Sequence, residues 1–93
     1  MRLDKYLKIS RIIKRRTIAN EAADAGRISI NGRVAKASTN VSVGDVIEIR
    51  FGQKIMKVRI DDVSEYAKKE AASSMYTVLS EDRIILEDDR DED

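Results

Sequence analysis

The dipeptide Asn31-Gly32 lies between two short stretches of β character, and it constrains the fold more than any other feature of the sequence. Asparagine and glycine both tolerate positive φ angles, so this pair is the strongest short-range signal for a two-residue β-hairpin. Ile28 and Ile30, just before the turn, alternate with polar residues and therefore share one face of a strand. The middle of the chain is thus predicted to form a sheet.

Two further strands are predicted after the hairpin, each preceded by a glycine turn. Residues 42–45, SVGD, form the first of these turns and lead into VIEIRF. Gly52-Gln53 forms the second turn and leads into KIMKVRI. Both segments alternate apolar and charged residues, which is typical of a mostly antiparallel sheet with one buried face. The residues predicted to share the apolar faces are Ile47, Ile49, Phe51, Met56, Val58 and Ile60.

The amino-terminal residues have the spacing of two short helices joined by a cationic turn. In the first helix the apolar positions follow an i, i+3, i+4 pattern and are Leu3, Tyr6 and Leu7. The second helix is predicted over 17–25, with Thr17 as its N-cap and Gly26 as the left-handed residue that ends it. Its buried face is expected to contain Ile18, Ala22 and Ala25.

Helical spacing returns over residues 66–80, where apolar residues recur at steps of four, namely Ala67, Ala71, Met75 and Leu79. This segment predicts a C-terminal helix that covers an edge or the open face of the sheet. The last seven residues, EDDRDED, are too charged to be buried and predict a disordered tail. The predicted fold class is α+β, with two short helices on a small sheet and a third helix after it.

The chain contains no cysteine and no histidine, which removes several classes of chemistry. Disulfides, thiol nucleophiles, imidazole mechanisms and zinc sites built from these residues are excluded. Asp61-Asp62 and the acidic end lack the spacing of a calcium loop, and no glycine-rich phosphate cradle is present. We therefore expect a protein that is not an enzyme and that has no metal and no cofactor.

The first ten residues carry charges at every third or fourth position and have no unbroken apolar run. This pattern predicts neither a signal peptide nor a membrane span, and we expect a cytoplasmic protein that has no membrane partner.

Charge is strongly segregated along the chain although the net charge is only +1. Residues 1–36 hold ten Lys and Arg against three acidic residues, a net charge of +7, whereas residues 37–93 hold eight against fourteen, a net charge of −6. Such asymmetry indicates one surface that faces a polyanion and another that does not.

Six of these cations lie within fifteen residues and are candidate nucleic-acid contacts: Arg2, Lys5, Arg11, Lys14, Arg15 and Arg16. Like charges at this density repel one another unless a polyanion lies opposite, and arginine forks bind phosphate in a bidentate manner. Ile12 and Ile13, between them, are expected to be core residues that anchor the turn. The cluster therefore favours nucleic-acid binding over an ordinary solvated surface.

Two short helices with a turn also suggest a DNA-binding helix-turn-helix. The candidate recognition helix, however, carries Asn20, Glu21 and Asp24 and no cation, so groove phosphates would repel it. Few aromatic residues are available to stack unpaired bases. The pattern therefore favours structured RNA over single strands or duplex DNA. Asn31-Gly32, beside Arg33 and Lys36, could be a turn alone or a second RNA contact, and the sequence leaves this open.

Several motifs together resemble the S4 RNA-binding domain. These are RLDKYL near the start, RRT before the second helix, Gly26-Arg27, the hairpin Ile30-Asn31-Gly32, and the turn Val43-Gly44-Asp45. Over its full length, through RFGQKIMKVRI and KKEAASSMYTVL, the chain resembles the stand-alone S4 proteins of the RqcP family of Gram-positive bacteria. With the helical spacing and the charged end described above, this predicts three segments: an S4 RNA-binding domain at 1–63, a C-terminal helical extension at 64–86, and an acidic disordered tail at 87–93.

The resemblance also implies a role in ribosome-associated quality control. The expected partners are the large ribosomal subunit through its 23S rRNA, the P-site peptidyl-tRNA, and the tailing factor RqcH. The protein is expected to be a monomer and to assist RqcH during alanine tailing of stalled chains. The RNA contacts it implies are Arg2, Arg11, Arg15, Arg16, Asn31 and Lys36. The acidic end departs from the family pattern and leaves its role open. The alternative is a general ribosome-associated or nucleic-acid-binding accessory module with no tRNA role.

Overall fold

The structure is a computed structural model that describes residues 1–64 and 69–83. Its elements in chain order are α1 (Leu3–Ile9), α2 (Arg16–Asp24), β1 (Ile28–Ile30), β2 (Arg33–Val34), β3 (Val46–Phe51), β4 (Lys54–Ile60), α3 (Lys69–Ala72), a 3-10 turn (Ser73–Met75) and β5 (Tyr76–Arg83). The predicted α+β class is confirmed.

The five strands form one antiparallel sheet in the order β2-β1-β3-β4-β5. Its buried face is continuous across neighbouring strands, because Ile28 is opposite Ile49, and Ile47 is opposite both Ile30 and Val58. The predicted alternation is therefore confirmed, except that Phe51 at the end of β3 is exposed. The helices complete this core with Leu3, Tyr6, Leu7, Ala19 and Ala23, all almost fully buried.

The predicted hairpin is confirmed, since Asn31 has a φ of 52° and Gly32 a φ of 86° between β1 and β2. Both central residues are left-handed, as a type I′ turn requires.

The second helix is rotated relative to its prediction. It begins at Arg16, one residue before the predicted N-cap Thr17, and Arg15 precedes it without a side-chain cap. Its buried face consists of Ala19 and Ala23; of the predicted face, Ala22 is partly buried against the core, Ile18 is 49% exposed and Ala25 is exposed. Small alanines let the helix approach the core closely. The predicted end is confirmed, because Gly26 follows the helix with a φ of 81°.

The predicted C-terminal helix is wrong in its second half. Helical structure ends at Met75, and Tyr76–Arg83 forms β5, which pairs with the whole of β4. The reason is that β4 would otherwise expose its hydrogen-bonding edge, and the sequence Tyr76-Thr77-Val78 suits an extended chain. The predicted segment division stays a prediction. The apolar run at 84–86 and the acidic tail at 87–93 lie outside the described residues.

A buried hydrogen bond joins α1 to the chain just before β5. The Tyr6 hydroxyl donates to the carbonyl oxygen of Met75 at 2.8 Å, and both residues are buried. Burial, together with the carboxylates of Asp61 and Asp62, raises the pKa of the Tyr6 phenol. The first helix is thereby fixed to the far end of the sheet.

We expect Tyr6→Phe to lower the free energy of unfolding by only about 0.5–1.5 kcal/mol. The loss is small because the Met75 carbonyl still accepts the backbone N–H groups of Asp61 at 2.8 Å and Asp62 at 3.1 Å. Urea denaturation measures the change, with Tyr76→Phe as the control at a partly exposed tyrosine. A loss several times larger would mean that the hydroxyl does more than bond this carbonyl.

Candidate nucleic-acid interface

A buried aspartate organises the basic surface. Asp4, in the first turn of α1, is 2% exposed. Its Oδ1 accepts hydrogen bonds from the backbone N–H of Lys5 at 2.7 Å and from Arg2 Nε at 3.3 Å. Its Oδ2 accepts from Arg2 Nη2 at 3.3 Å and from Asn20 Nδ2 at 3.2 Å. Arg16 also reaches both oxygens, at 3.4 Å from Nη2 to Oδ1 and from Nε to Oδ2. One carboxylate thus holds two arginines that are fourteen residues apart in the sequence.

The two arginines remain accessible while they are held. Their side chains are 49% exposed for Arg2 and 46% exposed for Arg16. Each guanidinium has five N–H donors in a fixed plane, so the donors that do not face Asp4 are available to a ligand. An arginine pair with fixed orientation and open donors is suited to bind phosphate oxygens.

The electrostatics of Asp4 favour its charged form. Burial alone would raise the pKa of this carboxyl, but hydrogen bonds from Asn20, Arg16 and the Lys5 backbone, and the positive charge of Arg16, together hold it below its ordinary value. Asp4 is therefore ionised at neutral pH and partly offsets the repulsion between Arg2 and Arg16.

Asn20 also belongs to this arrangement, although its position in the sequence indicated only that the second helix is poorly suited to a DNA groove. Arg16 and Asn20 are four residues apart on α2 and so lie on the same face of the helix. This i, i+4 spacing of a cation and an amide is the feature of the sequence that could have predicted a shared partner for Arg16 and Asn20. It also explains the rotation of α2, because this face must turn toward Asp4.

The predicted cations Arg11, Lys14 and Arg15 all lie in the turn between the helices and are exposed. Arg11 has a φ of 63°, a left-handed conformation that is uncommon for a residue other than glycine. Ile13, in the same turn, is buried and Ile12 packs against the core, so the expected anchoring is confirmed. The structure places Arg2 and Arg11 at opposite ends of α1, about 10 Å of helix apart.

Lys36 is presented by a loop that packs against the start of α1. The backbone N–H of Leu3 donates to Thr39 O at 2.8 Å, and that of Asp4 donates to Ala37 O at 3.2 Å. Asp24 at the end of α2 accepts the Ala37 N–H at 3.2 Å. Because this loop bonds to the start of α1, Lys36 lies beside the elements that carry Arg2 and Asp4. Its side chain is exposed. Lys5, on α1 itself, is partly buried.

Asn31 has a structural role that the sequence did not reveal. Its Nδ2 donates to Asp45 Oδ1 at 3.1 Å, and its Oδ1 accepts the backbone N–H of Val46 at 3.0 Å. The two polar atoms of this side chain thus link the hairpin to the 42–45 turn and to the start of β3. An RNA contact by Asn31 stays a prediction. Arg33, in the neighbouring strand β2, is exposed.

The acidic residues do not form a metal site in the part of the chain that the structure describes. Asp61 instead accepts hydrogen bonds from Arg59 Nε at 2.9 Å and from the Thr77 hydroxyl. Hydrogen bonds from Thr77 and Arg59 lower the pKa of the Asp61 carboxyl. Across residues 1–64 and 69–83, no helix is long and apolar enough to cross a membrane.

Comparison with known proteins identifies the class to which this arrangement belongs. The S4 domain family matches residues 1–47, which include α1, α2, the hairpin and Lys36. Trimeric heat shock protein 15 of Vibrio cholerae has a similar structure, with a TM-score of 0.78 and 30% identity over 86% of this chain and 82% of its own. The chain is therefore an S4-domain protein.

Two relatives resemble the chain over nearly its whole length. The RQC P-site tRNA stabilizing factor of Bacillus subtilis is 56% identical over 84 residues, which cover 90% of this chain and 98% of the relative. The factor of the same name from Listeria innocua is 59% identical over 83 residues, which cover 89% and 90% respectively. The chain belongs to the family of RQC P-site tRNA stabilizing factors.

We expect Asp4→Asn to destabilise the fold by about 1–3 kcal/mol at neutral pH, because it removes the charge that holds two guanidinium groups. The pKa of Asp4 is lowered from 3.8 in the folded state, so this stabilisation is complete above that value and is lost as the pH falls below it. Denaturant unfolding should therefore show that the free energies of unfolding of wild type and Asp4→Asn differ at neutral pH, and that this difference becomes smaller in strong acid. A difference in stability that does not change with pH would contradict an electrostatic role of Asp4.

Arg11 allows backbone strain to be separated from the loss of a cation. A left-handed conformation costs an ordinary residue about 1 kcal/mol, and glycine avoids this cost. We therefore expect Arg11→Gly to be more stable than Arg11→Ala by up to about 1 kcal/mol, although both variants lack the guanidinium. Urea denaturation of the two variants measures the difference. Equal stability would show that the turn relaxes away from the left-handed conformation.

Proposed function

We propose that this protein is a non-catalytic RNA-binding factor of ribosome-associated quality control. It binds the large ribosomal subunit that retains a stalled nascent chain, and it stabilises the P-site peptidyl-tRNA while alanine residues are added to that chain. The observation that carries the proposal is the pair Arg2 and Arg16, held half-exposed by one buried carboxylate. The names of the two nearly full-length relatives support the same role.

The proposed mechanism is electrostatic clamping of an RNA backbone. Phosphate contacts position a protein on RNA, and they require cations whose spacing is set before binding. Asp4 sets the spacing of Arg2 and Arg16, since both guanidinium groups contact the same two oxygens. The inter-helix turn with Arg11, Lys14 and Arg15 would extend the clamp at one end, and Lys5 and Lys36 would extend it along α1.

The finer assignments belong to the same proposal. The RNA would be 23S rRNA together with P-site tRNA, and the partner that delivers alanyl-tRNA would be RqcH. The protein would act in the cytoplasm as a monomer, which light scattering of the isolated protein tests. The second candidate function, a general ribosome-associated module with no tRNA role, would need the same basic surface but no dependence on peptidyl-tRNA.

Co-sedimentation with large subunits tests the proposal. Arg16→Ala should weaken binding to large subunits that carry peptidyl-tRNA by a factor of about ten or more, since a hydrogen bond to a charged group contributes about 1.5–3 kcal/mol. Arg59→Ala is the matched control, because Arg59 is equally exposed at 49% and also bonds an aspartate, but lies on β4. Both variants should fold, as circular dichroism can verify.

The salt dependence of wild-type binding and the role of tRNA complete this test. If about four to six cations meet phosphates, log K should fall with log salt with a slope of several units. Equal binding of wild type and Arg16→Ala, or a flat salt dependence, would refute the electrostatic clamp. Equal wild-type affinity for large subunits with and without peptidyl-tRNA would favour the module that has no tRNA role.

A further inference from the structure

A cavity of about 360 Å³ lies beside Asp4 and shares Asp4 and Arg16 with the clamp described above, but it extends past them along α2. It is lined by Asp4 of α1 and by Arg16, Thr17, Asn20 and Glu21 of α2. Its volume is within the range of sites that hold small organic groups, toward the lower end. The residues 16, 17, 20 and 21 recur at helical spacing, so they form one continuous wall along α2.

The chemistry of this wall differs from that of a phosphate site. Asn20 donates its amide N–H to Asp4, which leaves its carbonyl oxygen as an acceptor. Within the described part of the chain, the side chains of Thr17 and Glu21 have no hydrogen-bond partner, and both residues are exposed. The wall therefore offers a carboxylate, a carbonyl and a hydroxyl, with one guanidinium at its edge.

This set of groups selects a ligand that has donors and a phosphate close together. The Glu21 carboxylate disfavours a phosphate alone in this cavity, whereas a ligand with donors only would leave the Arg16 guanidinium without an acceptor from the ligand. An unpaired RNA nucleotide has both parts, because its base edge can donate hydrogen bonds while its phosphate accepts them from arginine. Among the four bases, guanine presents adjacent imino and amino donors, which match the two oxygens of a carboxylate.

We infer that the cavity binds the base of one unpaired guanine nucleotide of the RNA, with Glu21 and Asn20 accepting from the base edge and Arg16 donating to the phosphate. This inference rests on the proposed function, because it names the nucleotide that the same basic surface would bind. It also gives Glu21 a positive role, since an acidic residue beside a phosphate clamp otherwise only weakens RNA binding.

Titration of the isotope-labelled full chain with the 5′-monophosphates of guanosine, cytidine, adenosine and uridine tests the inference by NMR. We expect the backbone resonances of Thr17, Asn20 and Glu21 to shift, with guanosine monophosphate binding at least about fivefold more tightly than uridine monophosphate, as a good bidentate pair provides. Glu21→Gln should abolish that preference. Glu48→Gln, which alters a carboxylate on β3 outside the cavity, should retain it.

The outcomes distinguish this inference from the proposed function. If wild type sediments with large subunits but the four nucleotides shift these resonances equally or not at all, the guanine site is refuted and the clamp stands. If guanosine monophosphate is preferred but wild type does not sediment, the proposed function fails and the site remains. A guanine preference that survives in Glu21→Gln also overturns the inference, since a thermal melt can verify that this exposed, nearly isosteric variant is folded.

Discussion

The buried carboxylate of Asp4 is the interaction on which the arrangement of the basic surface depends. Removing an ionised carboxylate from water costs several kcal/mol unless it is paired and its lone pairs are satisfied. Asp4 meets this condition with two guanidinium groups, one amide and one backbone N–H. The partners come from residue 2, from α1 and from α2, so the fold itself fixes their relative positions. If either helix were displaced, the buried charge of Asp4 would lose its partners, and the fold would be less stable. Folding therefore also sets the positions of the two arginines.

This arrangement reconciles two opposing demands on the amino-terminal third of the chain. RNA binding requires cations at high density, whereas folding is opposed by their mutual repulsion. Placing one negative charge beneath Arg2 and Arg16 lowers the repulsion without covering them, because both side chains remain about half-exposed. Asp4 already restricts the two long arginine side chains in the folded protein. Less conformational entropy is therefore lost when RNA binds, and this favours the complex.

Local patterns predicted the elements whose conformation is set by neighbours in the sequence. Period-two alternation and Asn31-Gly32 predicted the strands and the hairpin, because turn chemistry and the pleat act over a few residues. The misassigned features depend on distant partners. The rotation of α2 follows from Asn20 meeting Asp4 sixteen residues away, and β5 forms because β4 needs a pairing partner. The apolar spacing of 66–80 suits a helix locally, and pairing with a sheet edge overrides it beyond Met75.

The same distinction applies to the predicted contact residues. The cations could be identified from composition because charge is visible in a single sequence, and the structure leaves Arg11, Lys14 and Arg15 on the surface. What composition cannot show is which polar side chains already have partners. Asn31 uses both polar atoms within the protein, on Asp45 and Val46, so its amide would have to give up a bond to contact RNA. Near the hairpin, Arg33 and Lys36 are exposed and need no such exchange, and phosphate contacts there are therefore expected from them first.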